Sequence, residues 1–270
     1  MKLTEAVRGR RSVRTFDGRE LPPGDAEKLL AFAEGLENPW ELPVAWHLLD
    51  AERDGLRSPV IAGARTYIAG VMRRAEHAEE AFGYAFEKIL LYAWTLGVGS
   101  TMIAGTMDRP AFERAVHLME GVVMPCVSPL GYAAGKMSLR ETLMRKGIAA
   151  DTRKDFGELF FDGDFGTSLT PERAGAAAPA LEAVRLAPSA VNRQPWRVVL
   201  RDGTAHFYEK RAKGYVGADG WDVQRIDMGI ALAHFETGAA ESGPTPVLLR
   251  EDPGIPVPEE TFYIASYRFA

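Results

Sequence analysis

A compact cluster of hydrogen-bond donors lies near the start of the chain, at Arg10-Arg11-Ser12-Val13-Arg14. Three guanidinium groups and one hydroxyl within five residues suit the binding of a phosphate or a polyol. A short arginine cluster is usually a solvated surface segment. Taken alone, this motif leaves both interpretations open.

A second cluster of polar groups occurs in the sequence APSAVNRQPW, at positions 187–196. Pro188 is expected to end a helix, and Ser189, Asn192 and Gln194 offer hydroxyl and amide groups where the backbone turns. Loops that carry polar groups on a rigid scaffold often contact ligands. The alternative is a turn whose side chains only satisfy its own backbone.

The elements that must position the first cluster can be read from apolar spacing. We predict a helix from Pro23 to the stop at Gly35, strands at 44–49 and 67–71, and a helix at 81–96 that is apolar on nearly every side. A strand at 122–127 should end in a turn at Ser128-Pro129. Residues 136–153 are basic and predict an irregular excursion.

The second half of the chain repeats this order. Thr170 and Pro171 begin a predicted helix that Pro179 restarts. Strands at 196–200 and 204–209, an apolar helix at 226–240 and a final strand at 261–269 follow. The order predicts an α+β protein with two halves, 1–150 and 151–270, although two mixed halves can share such an order by chance. The two apolar helices need cover, and we expect each to cover the other.

Composition excludes several classes of function. The net charge is −5, which is unsuited to binding nucleic acid. Cys126 is the only cysteine, so the chain forms no internal disulfide and no cysteine-based zinc site. The five histidines show no metal-ligand spacing, and no Ser-His-Asp arrangement is visible. No signal peptide or membrane-spanning segment is evident, so we expect a soluble, cytoplasmic protein.

Together, RRSVRTF and the later APSAVNRQPW resemble the paired signature of the nitroreductase flavoprotein family. The segment 227–243 is similar to the family's central helix, and 122–132 to its strand ending in a Gly-Tyr turn. The resemblance covers essentially the whole chain and is greatest to an internally duplicated branch. It implies a three-layer α/β/α fold with mixed, largely antiparallel sheets, whose pseudo-symmetric, intertwined halves form a single-chain pseudo-dimer.

The family's two flavin-binding motifs are divided between the halves. Where the first half should carry the PSxxNxQPW loop, it has ENPWELP at 37–43, and where the second half should carry the arginines, it has ELFFD at 158–162. The resemblance therefore implies one composite FMN site, with arginines from the first half and the loop from the second. We expect one FMN per chain and a monomer.

The resemblance also implies roles for individual residues. Arg10 and Ser12 would bind the FMN phosphate and ribityl chain, with Arg11 beside them, and Arg14 would approach the pyrimidine side of the flavin. The expected contacts from elsewhere are the basic pair Arg145 and Lys146, the turn Ala104 and Gly105 near flavin N5, and the loop residues Pro188, Ser189, Ala190, Asn192 and Gln194. Alanine at 104 replaces the glutamate that is usual in the family.

By the same resemblance, the chain is expected to be an FMN-dependent oxidoreductase. NAD(P)H would reduce the flavin and leave, and a nitroaromatic, quinone or similar small-molecule acceptor would then be reduced, in a ping-pong mechanism. No catalytic side chain is expected because flavin N5 carries the chemistry. The alternative is a protein of the same fold that binds flavin or another small ligand without turnover.

Overall fold

Each half of the chain builds a five-stranded sheet with helices packed on it. The computed structural model describes residues 2–217, 220–240, 243 and 246–269. Positions 241 and 242, within the segment compared with the family's central helix, lie outside the described residues. Contacts between residues divide the chain into two units, Met1–Ala150 and Asp151–Ala270.

The first unit contains five helices and five strands within its described residues. The helices are α1 (Leu3–Gly9), α2 (Pro23–Glu34), α3 (Ala78–Thr95), α4 (Arg109–Ala115) and α5 (Leu139–Gly147). The strands are β1 (Ala45–Asp50), β2 (Thr66–Arg73), β3 (Gly99–Ser100), β4 (Val122–Val123) and β5 (Val127–Gly131). They pair antiparallel in the order β1-β2-β5-β3, with β4 also on β2.

The two predicted helices of the first unit are confirmed. Helix α2 begins at Pro23, where a missing backbone N–H costs nothing, and Gly35 follows its last residue. Helix α3 is buried on nearly all sides, as its composition predicts, and it carries the buried carboxylates of Glu80 and Glu87 among apolar residues. Gly97, at φ 77°, follows the end of α3 and turns the chain into β3.

The predicted strand at 122–127 is confirmed only at its two ends, Val122–Val123 and Val127, and the predicted turn at Ser128-Pro129 is wrong. The strand is interrupted after Val123, and Pro129 lies inside β5, opposite Tyr67 of β2. The Arg109 guanidinium accounts for the interruption, since Nη1 donates to the Met124 carbonyl (2.7 Å) and Nη2 to the Pro125 carbonyl (3.3 Å). In a strand, adjacent carbonyls point to opposite edges, so these bonds occupy one acceptor on each edge, and Pro125 has no backbone N–H to donate.

The segment 136–153 is not irregular throughout, because it contains helix α5. The Ser138 hydroxyl accepts a hydrogen bond from the Glu141 backbone N–H (3.1 Å) and caps the helix. Its polar composition hides the helix, although a serine followed three residues later by a glutamate is a recognised start signal.

The second unit has a mixed sheet. Its helices are α6 (Phe156–Leu159), α7 (Pro171–Ala174), α8 (Ala178–Leu186) and α9 (Val223–Ala239), with 3₁₀ turns at Gly175–Ala177 and Ala190–Asn192. Its strands are β6 (Phe160–Asp162), β7 (Trp196–Arg201), β8 (Thr204–Lys210), β9 (Val247–Leu249) and β10 (Thr261–Arg268). The order is β6-β7-β8-β10-β9. Among the described strands of this sheet, β6 and β7 form the only parallel pair, and the other pairs are antiparallel.

Helices α8 and α9 pack closely in the second unit. Gly238 permits the approach, because a Cβ at that position would lie 2.7 Å from the Ala183 Cβ. Thr170 caps α7, as predicted, by accepting from the Arg173 backbone N–H (3.4 Å). Like α3, helix α9 is buried on nearly every side, so the chain contains the two buried helices that its sequence predicts.

Candidate functional site

The arginine motif leaves α1 as an extended segment and runs beside β3. Ser12 and Ser100 form a parallel bridge, and the Val13 backbone N–H donates to the Ser100 carbonyl (3.0 Å). Gly99 allows this approach, since a Cβ there would lie 2.9 Å from the Val13 Cγ2. The sheet therefore fixes the backbone of the motif.

Helix α5 holds the motif from its other end. The buried Glu141 carboxylate accepts from the Arg14 backbone N–H (3.2 Å) and from the Thr15 hydroxyl (2.7 Å). The Ser138 backbone N–H in turn donates to Thr15 Oγ1 (3.0 Å). The residues preceding α5 and its first turn are thus joined to the arginine motif by three hydrogen bonds.

This attachment brings Arg145, one helical turn after Glu141, to the motif. Arg145 Nη1 donates to the Ser12 carbonyl oxygen (3.5 Å). Burial lowers the pKa of Arg14, Glu141 raises it, and the positive charge of Arg145 lowers it. Ser12, Arg14 and Arg145 are therefore brought together in the first unit.

The Arg14 side chain has buried donors without an acceptor. Its Nε and Nη1 are buried, and neither makes a hydrogen bond among the described residues. A buried guanidinium that lacks acceptors is costly, so such an arrangement favours an anion or a carbonyl-bearing ligand beside it. The neighbouring charge of Arg145 strengthens the preference for a negative group.

The other residues predicted for the first half are bonded to other partners or exposed. Arg10 donates from Nε (3.2 Å) and Nη2 (2.7 Å) to Oε1 of Glu87 in α3, and the two side chains are 6% and 0% exposed. Arg11 and Lys146 are exposed. The Ala104 carbonyl, in the bend after β3, accepts from Arg109 Nη2 (3.3 Å), and the adjacent Gly105 is exposed.

The loop between α8 and β7 brings the second-half candidates together. Ser189 Oγ accepts from the Gln194 backbone N–H (2.8 Å), and Gln194 Oε1 accepts from the Lys154 backbone N–H (2.9 Å). Asn192 Nδ2 donates to the Thr152 carbonyl (3.1 Å). Pro188 follows the end of α8, as predicted. Ser189 thus satisfies a backbone group of its own turn, as the alternative interpretation of this motif expects, whereas Asn192 and Gln194 bond the turn to the segment 152–154.

The backbone of this loop is nevertheless strained. Val191, Asn192 and Gln194 have φ of 43°, 58° and 51°. Each such conformation costs a non-glycine residue on the order of 1–3 kcal/mol, and Val191 is β-branched as well. Strain of this kind is concentrated at ligand-binding sites, so the loop remains a candidate despite its internal hydrogen bonds.

Asp227 of α9 is a residue that the sequence interpretation did not assign to the site. Its carboxyl oxygens lie 3.0 and 3.1 Å from the Ala190 backbone nitrogen, which donates to them. Burial raises the pKa of Asp227 well above its usual range, the Ala190 N–H lowers it, and Asp222 and Glu209 raise it. The available signal was an acidic residue at the start of the apolar run IDMGIALA in α9.

The corresponding loop of the first half is closed by its own asparagine. Asn38 Oδ1 accepts from the backbone N–H groups of Trp40 (3.1 Å) and Leu42 (3.2 Å), and Nδ2 donates to the Leu42 carbonyl (2.6 Å). The Asn38 side chain thus has acceptor and donor bonds within its own turn. In the second half, the segment 158–162 forms the end of α6 and strand β6.

The described part of the chain contains neither a metal-binding cluster nor a membrane-spanning helix. No group of three or more His, Cys, Asp or Glu residues there could hold a metal ion. Among the helices of those residues, none has the length and apolar character needed to cross a membrane.

Comparison with known proteins identifies the family. The family model described as "Putative TM nitroreductase" matches residues 2–239. A crystal structure of a "putative nitroreductase" from Thermotoga maritima covers 99% of this chain and 93% of its own, with 20% identity and a TM-score of 0.64. The likeness confirms the predicted nitroreductase-like α+β fold. No curated protein matches the chain.

Other solved structures match about half of the chain. An FMN-dependent nitroreductase from Clostridium difficile covers 49% of this chain and 88% of its own, with 18% identity and a TM-score of 0.43. A "putative NADH oxidase" from Clostridium acetobutylicum covers 48% and 89%, with 21% identity and a TM-score of 0.42. From the match of its family model over most of its length, this chain belongs to the "Putative TM nitroreductase" family of oxidoreductases.

Proposed function

We propose that the chain is an FMN-dependent oxidoreductase that takes electrons from NADH or NADPH and passes them to a nitroaromatic, a quinone or a similar acceptor. The carrying observation is the Arg14 guanidinium, whose buried Nε and Nη1 have no acceptor among the described residues. FMN fits this requirement, because it offers a phosphate and flavin carbonyls as acceptors. A solved structure similar to about half of the chain is named an FMN-dependent nitroreductase, and that name supports the same cofactor.

Within the first unit, we assign the anionic or carbonyl-bearing part of the ligand to Arg14, Arg145 and Ser12. The Arg145 guanidinium lies beside the Ser12 carbonyl, and its charge depresses the pKa of Arg14, so the two cations share one small region. The Glu141 carboxylate lies beside Arg14 as well, so Arg14, Arg145 and Glu141 together carry one net positive charge, which favours an anionic group beside them. Exposed Arg11 and Lys146 would add longer-range attraction for the anionic ligand.

We propose that Arg10 supports the site structurally. It contacts the FMN phosphate less directly than the sequence resemblance implies. Two of its donor nitrogens are already bonded to Glu87, in a pair that is almost completely buried. Those donors would have to leave Glu87 before they could bind a phosphate. The pair thus attaches Arg10, the first residue of the motif, to helix α3.

Within the second unit, we propose that the loop residues Pro188, Ser189, Ala190, Asn192 and Gln194 contact the flavin. Their backbone is fixed by hydrogen bonds and held at unusual φ values, which limits the conformational entropy lost on binding. For Ala104 and Gly105 we propose a backbone contact, which does not need the missing glutamate side chain. These assignments derive from the family's motif.

When bound, FMN supplies hydride acceptance from the nicotinamide and electron transfer to the acceptor in a ping-pong sequence. The chain supplies position and charge. Arg14 favours negative charge beside it. No side-chain acid or base is assigned to the reaction.

A second function is favoured by specific features of the chain: a flavin- or small-ligand-binding protein without turnover. Asn38 closes the first-half loop on itself, and Ala104 replaces the family's glutamate. Both changes remove parts that a symmetric pair of active sites would contain. Sequence asymmetry further suggests one flavin for each chain, a monomer and, with a single cysteine, a reducing cytoplasmic location.

Steady-state assays with FMN-saturated protein separate the two functions. Oxidation of NADPH or NADH is followed with and without a nitroaromatic and a quinone. The proposed function predicts donor oxidation that depends on both the protein and an acceptor. Flavin that stays bound while neither donor is oxidised would contradict turnover and favour the ligand-binding function.

A further inference from the structure

The loop of the second unit depends on a contact outside itself. Within the loop, the Asn192 backbone N–H donates to the Ser189 carbonyl (3.0 Å), and Gln194 N–H donates to Ser189 Oγ (2.8 Å). These bonds close the turn but do not attach its first residues to the scaffold. Asp227 provides that attachment, through the Ala190 backbone N–H.

The geometry around Ala190 is that of a clamp between two elements. Both oxygens of the Asp227 carboxyl group lie within 3.1 Å of the Ala190 amide nitrogen, and Asp227 is 3% exposed. Asp227 lies in the second turn of α9, which is buried along most of its length. A long buried helix is a rigid support, whereas the loop contains three residues with positive φ. Without the clamp, Ala190 would lose its attachment to α9, while Asn192 and Gln194 would keep their bonds to Thr152 and Lys154.

A carboxyl group at this position is unfavourable unless it has a specific role. Burial disfavours its charged form, and two other buried carboxyls, Glu209 and Asp222, oppose its ionisation. Arg211 pairs with both Glu209 (3.1 Å) and Asp222 (3.1 Å), and Arg225 lies 4.0 Å from Glu209. An apolar residue would fill the same volume at lower cost, and it could not accept the Ala190 N–H.

We propose that Asp227 is a positioning residue, which holds Ala190 and so fixes the loop 188–194 in the conformation that contacts the flavin. The inference rests on the proposed function, because the loop matters to turnover only if it contacts FMN. It assigns to Asp227 a hydrogen-bond acceptor role that does not require a negative charge. An amide oxygen can fill that role, since it accepts the same N–H.

Three variants separate positioning from general stability. Asp227→Ala removes the acceptor, and Asp227→Asn keeps one. Thr237→Val is the matched control on the same buried helix, where it removes the bond from Thr237 Oγ1 to the Ala233 carbonyl (2.7 Å). It lies ten residues from Asp227, about 15 Å along the helix axis. Two quantities are measured for each: amide hydrogen exchange at Ala190 and the FMN dissociation constant.

We expect Asp227→Ala to speed exchange of the Ala190 amide and to raise the FMN dissociation constant by about tenfold or more. Asp227→Asn should restore both values to near wild type, and Thr237→Val should change neither. Circular dichroism verifies that each variant is folded at the measuring temperature. If Asp227→Asn behaves like Asp227→Ala, the acceptor role is overturned.

The readouts also separate this inference from the proposed function. Unchanged Ala190 exchange in Asp227→Ala overturns the clamp whether or not flavin binds. Faster exchange with an unchanged FMN dissociation constant overturns the positioning role and leaves the proposed function standing. A wild-type chain that binds no FMN overturns the proposed function and, with it, the role of Asp227 toward flavin.

Discussion

Replacing Arg10 by alanine should destabilise the chain strongly, because it takes the guanidinium away from a buried carboxylate. Arg10 Nη2 lies 2.7 Å from Glu87 Oε1, and the side chains are 6% and 0% exposed. Removing one partner of a buried pair costs about 3–5 kcal/mol. At roughly 2–4 °C per kcal/mol for a chain of this size, the melting temperature should fall by about 6–20 °C.

Thermal unfolding followed by circular dichroism measures this change, with urea unfolding as a check. The matched control is Arg53→Ala. Arg53 makes an equally short bidentate pair with Asp54 (2.7 Å for both bonds), but its side chain is 69% exposed. Water screens that pair, so the control should leave the melting temperature within the precision of the scan. The double variant Arg10→Met, Glu87→Met should recover much of the loss.

Flavin binding by Arg10→Ala distinguishes the two roles considered for this residue. If Arg10 mainly neutralises Glu87, the affinities of the variant for FMN and for riboflavin should fall by similar factors when they are measured below its melting temperature. The reasoning is refuted if the variant is as stable as wild type and loses affinity for FMN alone. That result would show that Arg10 binds the phosphate, as the sequence resemblance predicts.

Three other predictions follow from single residues. Arg14→Gln should weaken FMN binding roughly ten- to a hundredfold in a fluorescence titration, because glutamine keeps a single NH2 donor group and loses the positive charge; unchanged affinity would contradict the site. Asn38→Ala should cost about 1–3 kcal/mol in urea unfolding, and Asn38→Asp should also lower stability, because it keeps the acceptor Oδ1 but places a carboxylate oxygen against the Leu42 carbonyl where Nδ2 donates; unchanged stability in both variants would contradict the closure of this loop by Asn38. Asp227 has a raised pKa when folded, so its stabilising effect is complete below about pH 3.9 and is lost as pH rises through the folded pKa. The stability of Asp227→Asn relative to wild type should therefore increase with pH, and a constant difference would be contrary evidence.

Local signals in the sequence predict much of the fold. Pro23 and Gly35 bound α2 as expected, and Thr170 caps α7. The burial of α3 and α9 follows from residues that are apolar all round each helix. Such signals act within a few residues, so a single sequence is enough to read them.

The errors arise where distant contacts act together with local signals that the overall composition obscures, such as Pro125 and the cap Ser138 with Glu141. The break in the strand after Val123 depends on Arg109, which donates to the carbonyls of Met124 and Pro125 from another element. Helix α5 was hidden by its polar composition, and its Glu141 carboxylate serves a remote partner, the Arg14 backbone. No local pattern indicates either contact.

The same limit applies to the candidate site. The motifs indicate which residues could bind a ligand, and the structure brings Ser12, Arg14 and Arg145 together in the first unit. The partner of Arg10 is 77 positions away and the partner of Ala190 is 37 positions away. Pairings over such distances are set by the folded chain, so sequence spacing could not identify Glu87 or Asp227.

The central claim is that this chain uses one FMN for redox chemistry. The most direct measurement is an anaerobic titration of the purified chain with FMN, removal of free flavin, and addition of NADPH and then NADH while visible absorbance is recorded. We predict one retained FMN for each chain of 270 residues, bleached by at least one of the two donors. A chain that retains no FMN, or retains FMN that neither donor bleaches, would contradict the account.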